Sequence, residues 1–236
     1  MPVNVPFRKY LITITLYSIA MGFLESAVVV YLREIYYPYG FEFPMVSMTG
    51  RIAVTEILRE AATMIMLLTV AMLAGKSFLE RFSWFIYCFA IWDIFYYIFL
   101  KLLTGWPSSL LTWDILFLIP VIWTGPVITP VIVSLTMIIM AMFILTGKIK
   151  ATSINSQWLV LLGAFFIFLS FVWDFSGFML SQYNVAEMFK PGISQHALQQ
   201  YVPYRFNWWF FVIGEVMILT GIAFSHHNTR RKEYAA

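Results

Sequence analysis

Charge is what this sequence has least of. Asp, Glu, Lys and Arg make up 11% of its 236 residues, where a soluble domain carries about 25%. With 61% hydrophobic residues, 19% aromatic residues and a mean hydropathy of +0.80, a soluble globule is excluded. Cysteine is nearly absent too: Cys88 stands alone in an apolar run, so no intrachain disulfide can form. Three histidines do not make a histidine-rich metal cluster or the histidine pattern of membrane di-iron hydroxylases. There is no HExxH, GxSxG, P-loop or paired CxxC, and no lysine in mid-span for a retinal Schiff base. The cofactor is therefore unknown and no metal ligands are assigned. An all-oxygen site would favour Mg, Ca or Mn.

What is present is apolar sequence in membrane-length blocks. About 20 residues of helix cross roughly 30 Å of hydrocarbon, and six such blocks occur, at 10–31, 53–75, 82–103, 113–146, 157–181 and 206–225. The fold class is all-α: a polytopic membrane helix bundle, with residues 1–236 as a single integral membrane domain. The block after Arg8-Lys9 runs beyond the length of a signal-peptide core and carries Glu25, so it reads as an uncleaved helix. The block 113–146 is too long for one span and holds Pro120, Pro126 and Pro130. Proline removes a backbone donor and clashes with the preceding turn. Residues 113–123 are accordingly expected as a short re-entrant or interfacial piece leading into a helix at 125–146.

The net charge of +3 sits in short loops and the C-terminal tail, so it reports orientation rather than nucleic-acid binding. With both termini cytoplasmic, the inner segments hold Arg8, Lys9, Lys76, Arg81, Lys148, Lys150, Arg230, Arg231 and Lys232. The outer loops then hold Arg33, Arg51, Lys101, Lys190 and Arg205. The excess inside favours this orientation.

Every aspartate follows a tryptophan: Trp92-Asp93, Trp113-Asp114 and Trp173-Asp174. An acid in hydrocarbon costs roughly 2.5–3.5 kcal/mol on insertion scales and usually marks function or a pairing. At 1.5 Å per residue, Glu25, Glu56, Glu60, Asp93, Asp174 and Glu215 all fall about 5–15 Å below the outer end of their spans. Six acids in one leaflet face one intramembrane base, Arg59, with Arg33 able to reach in from the interface. Burial beside like charge then calls for protons or a bound cation. Glu56, Arg59, Glu60 and Thr63 share one helical face, and Asp93, Tyr97 and Lys101 form a stripe at i+4 steps. Ser18, Gly22 and Ser26 make a small-residue seam that lets another helix come close.

Plainer readings stand beside these. Trp113 and Trp208-Trp209 read as interfacial belt residues, Asp114 as a helix N-cap, and the Glu56-Arg59-Glu60 set as glue between helices. His226-His227 and the basic tail read as a solvated anchor, and His196 as an ordinary loop residue.

Three functions fit. The first is binding or converting a lipid-soluble small molecule by buried-acid proton transfer, of the kind that starts an isoprenoid cyclisation. Its candidate acids are Asp93, Asp174 and Glu215, supported by Glu25 and Glu60. Glu56, Arg59, Arg33, Trp92, Tyr97 and Trp173 are candidates for binding, and loops 32–52 and 182–205 for capping the pocket. The second is a proton- or cation-coupled transporter or channel. The near absence of polar groups from the inner half, and acids out of register between spans 2 and 5, argue against it. The third is a noncatalytic subunit of a larger membrane complex. The expected partners are membrane lipids, a lipid-soluble molecule, and further copies or other subunits, with no nucleic acid.

Overall fold

A computed structural model of the chain describes residues 7–46, 48–150, 152–184, 186 and 193–234. Among them six helices are long and apolar enough to cross a membrane, and the protein is an all-α polytopic bundle. These are α1 (Phe7–Tyr36), α2 (Gly50–Ala74), α3 (Phe78–Thr104), α4 (Ile128–Leu145), α5 (Ile154–Gln182) and α7 (Trp208–Tyr234). A six-residue helix, α6 (Ile193–Leu198), lies in the connection between α5 and α7.

The helix ends follow local chemistry. Ser77 and Ser153 cap α3 and α5 by accepting the backbone N–H groups of Glu80 and Ser156, both at 3.2 Å. Gly105 closes α3 with φ of 73°, a left-handed conformation that costs glycine little.

The fourth apolar block corrects the sequence reading. Residues 113–126 are neither a helix nor part of one. Strands β1 (Trp113–Phe117) and β2 (Trp123–Pro126) pair antiparallel, with Asp114 opposite Gly125 and Ile115 opposite Thr124. A hairpin solves the problem that Pro120 and Pro126 pose, because the strands satisfy each other's backbone groups where a helix would lose donors. The helix that follows begins at Ile128.

The six long helices alternate in direction. The described residues of the connections 37–49, 105–127 and 183–207 gather at one end, where the Met45 N–H donates to the Leu198 carbonyl (3.1 Å). The turns 75–77, 146–150 and 152–153 lie at the other end with the start of α1, where Phe7 packs on Trp84. Lys190, assigned above to an outer loop, falls outside the described residues.

Two packing modes hold the bundle. In the first, α3 lies against the Ser18-Gly22-Ser26 seam of α1. A methyl group at Gly22 would come within 2.9 Å of the Trp92 carbonyl oxygen, and Ser26 donates to the Tyr96 carbonyl at 3.0 Å. Below the polar layer, Leu67, Ala71, Trp84, Cys88 and Trp92 form a buried apolar core of α2 and α3. In the second, α5 and α7 make the most extensive helix pair, with Gly163 and Gly214 in backbone contact.

Candidate functional site

At the connection end, α1, α2, α3, the hairpin, α5 and α6 enclose a cavity of about 660 Å³. Its polar wall begins with Arg59 on α2. The guanidinium donates to Glu56 Oε2 from Nε at 2.9 Å and from Nη2 at 2.8 Å, and to Glu25 of α1 through Nη1. Thr63, one turn further along the Arg59 face, approaches the other oxygen of Glu25 at 3.4 Å. One cation thus ties two carboxylates on two helices. Such a cluster persists only when each charge keeps its partner, because an orphaned charge in a low dielectric is costly.

Glu60 does something different. Its two oxygens accept the backbone N–H of Leu118 at 3.0 Å, and Oε1 that of Ile119 at 3.3 Å. These amides belong to the turn between β1 and β2, where no strand partner is available. A carboxylate on α2 therefore holds the hairpin tip over the cavity.

Asp93 projects from α3 and accepts a hydrogen bond from Ser134 of α4 at 2.8 Å. Trp92, Tyr96 and Tyr97 line the same side of the cavity. Among the described residues the buried Trp92 Nε1 has no hydrogen-bond partner.

At the hairpin, Asp114 is buried in β1 and does not cap a helix. Tyr97 Oη donates to its Oδ2 at 3.2 Å, and Arg33 Nη2 stands 3.7 Å from its Oδ1. Arg33 is also held by faces, with its guanidinium carbon 3.8 Å from the Trp106 ring centroid and 4.6 Å from that of Phe41. Burial raises the Asp114 carboxyl to about 6 despite the opposing pull of Arg33. The N-cap reading of this residue is corrected because the segment is a strand.

The structure brings together Glu25, Arg33, Glu56, Arg59, Glu60, Trp92, Asp93 and Tyr97 around one cavity. Three other candidates lie apart from it. Asp174 is half-buried on α5 and clasps the segment before α7, accepting from Tyr201 Oη (2.7 Å) and the N–H groups of Tyr204 (3.1 Å) and Arg205 (3.2 Å). Burial in turn raises the Tyr201 phenol. Trp173 is 52% exposed and packs edge-on against Phe210. Glu215 is buried on α7 and takes a hydrogen bond from Thr136 of α4 at 2.8 Å. Of the interfacial tryptophans, Trp209 is strongly exposed, whereas Trp113 packs on Phe206.

The rest of the cavity is apolar. Four of its lining residues, Val46, Ile57, Val121 and Leu180, are 44–61% exposed on the surface of the bundle. They mark a mouth between α2, the hairpin tip and α5. Asp114 and the amides at the hairpin tip join the site only in the folded structure. Asp114 is the one polar residue in the apolar run 113–119, and that interruption is the only trace of its role in the sequence. Among the described residues no group of three or more His, Cys, Asp or Glu is placed to hold a metal ion. Comparison with known proteins finds no matching family model, no matching curated protein and no matching solved structure.

Proposed function

We propose that this membrane protein binds, and by acid chemistry converts, a lipid-soluble small molecule in the carboxylate-lined cavity. With the termini cytoplasmic, that cavity lies in the outer half of the bilayer. The observation that carries this reading is the pairing of an apolar mouth in the bundle wall with an inner wall of carboxyl groups. An apolar molecule partitions into the bilayer, passes Ile57, Val121 and Leu180 sideways, and meets Asp93 and Glu60 without crossing water. A protonated carboxyl hands its proton to an alkene or carbonyl of the bound molecule, and a neighbouring carboxylate takes one back. Asp93 and Glu60 suit these roles because neither is locked to a cation, whereas Glu25 and Glu56 are committed to Arg59. The rings of Trp92 and Tyr97 beside Asp93 would favour a developing positive charge. Asp174 and Glu215 take structural roles in this account.

The apolar core below the polar layer supports a closed pocket over a through-channel, since a path would need polar groups along the whole bundle. A photoreactive aliphatic diazirine alcohol tests the proposal. It should label Asp93 or Glu60 saturably, and Asp93→Asn with Glu60→Gln should abolish that labelling while membrane insertion persists. Labelling confined to lipid-facing positions such as Leu58 and Leu73 would overturn it.

A further inference from the structure

A second site lies at the opposite end of the bundle and is unrelated to the acid cavity. The turn after α4 and the last turns of α7 enclose a cleft of about 270 Å³ lined by Phe143, Thr146, Gly147, Lys148, His226 and Arg230. Three of these six are basic and none is acidic. The cleft is organised around one ring. Lys148 Nζ sits 5.1 Å from the Phe143 centroid, and the His226 ring meets Phe143 edge-on at 5.2 Å and 80°. His226 Nδ1 donates to the Lys148 carbonyl oxygen at 3.1 Å, and the Lys150 N–H reaches Thr229 Oγ1 at 3.4 Å, so the turn is stitched to α7.

An exposed apolar track leads to this cleft. On α4, Leu135 and Ile139 precede Phe143 at i+4 steps, and they are 51% and 44% exposed. On α7, Val216, Leu219 and Ala223 precede His226 at steps of three and four, and all three are exposed. Residues at these spacings share a helix face. The Thr136–Glu215 hydrogen bond and the Phe143–His226 contact set the two helices side by side and running in the same direction. For parallel neighbours this places both stripes on the same side of the contact, where they form one groove ending at three basic side chains.

We infer that the α4–α7 groove binds an anionic phospholipid, its phosphate held by Lys148, His226 and Arg230 and one acyl chain lying along Leu135, Ile139, Leu219 and Val216. Basic pockets between membrane helices recognise lipid head groups in this way. The apolar track is what selects a lipid over a free phosphate, because a free anion gains nothing from it. Offsetting the helix dipole at the α4 C-terminus would also place cations here, but that role needs neither a groove nor an apolar track.

The test is native mass spectrometry of the full chain released from mixed vesicles of phosphatidylglycerol and phosphatidylcholine. One phosphatidylglycerol should stay bound in preference to phosphatidylcholine, and the preference should fall roughly fivefold for each cation removed in Lys148→Ala with Arg230→Ala. Ile139→Trp, which fills the track and leaves every charge, should also lower retention. A control pair, Arg8→Ala with Arg231→Ala, should leave it unchanged. Equal loss in the control pair would reduce the effect to general attraction by the basic end and overturn the proposal. Displacement by inorganic phosphate, with Ile139→Trp behaving as wild type, would make it a simple anion site and overturn the lipid assignment. Unchanged retention in the Lys148/Arg230 variant would leave the cations with the helix-dipole role alone.

Discussion

The α1–α2–α3 half and the α5–α7 pair meet the same solvent differently, although α1 and α3 also approach closely at Gly22. In the second, Gly163 and Gly214 bring two backbones into contact, and a methyl group on either would lie 2.6–2.7 Å from the other's carbonyl oxygen. Close packing of small residues does the work that the hydrophobic effect cannot do in lipid. In the first, α1 and α2 touch only sparsely and are joined mainly through Arg59 of α2 and Glu25 of α1, with Glu56 holding Arg59 from its own helix. Charge there spans a gap that close packing would have filled, and the gap is the cavity. The costly polar layer thus lies where the bundle stays open.

The largest expected effect comes from breaking the charged joint. Arg59→Ala strands Glu25 and Glu56 and should cost about 3–5 kcal/mol, read as an earlier thermal or denaturant midpoint in detergent. Adding Glu25→Gln and Glu56→Gln should recover much of the loss. A stable Arg59→Ala protein would mean that α1 and α2 are not joined by charge.

A second effect separates the halves by pH. Asp114 has its folded-state carboxyl raised to about 6 from 3.8. Its contribution is therefore fully present below about 3.8, is lost as pH rises towards 6, and stays lost above that, with about 3 kcal/mol at stake. Asp114→Asn should flatten this part of the stability profile between pH 4 and 6. An unchanged profile in the variant would remove Asp114 as its source.

The smallest effect belongs to the glycine contact between α5 and α7. Gly214→Ala overpacks a backbone contact and should cost about 1–3 kcal/mol with no change in diazirine labelling of the cavity. Loss of labelling in this variant would show the two halves to be coupled rather than distinct.

Much of this was legible in the residues. The six spans follow from apolar length, and the Ser18-Gly22-Ser26 spacing anticipated the approach of α3. Glu56, Arg59, Glu60 and Thr63 share a face because helix geometry requires it. The hairpin was hidden because a short apolar run with prolines fits a broken helix and a buried strand equally. Only the tertiary structure shows Glu60 accepting the tip amides, and only the hairpin turns Asp114 from a cap into the partner of Arg33 and Tyr97. Depth along the span put Asp174 and Glu215 in one layer with the other acids. Depth carries no information about rotation, and rotation turned Asp174 towards the segment before α7 and Glu215 towards α4.

The most direct measurement is mass spectrometry of whatever small molecules remain bound after gentle extraction, comparing wild type with Leu180→Trp, which narrows the mouth. A hydrophobic small molecule in stoichiometric amount, depleted in Leu180→Trp, is the expected result. Bulk lipid alone in both proteins would contradict a cavity that takes its ligand from the bilayer.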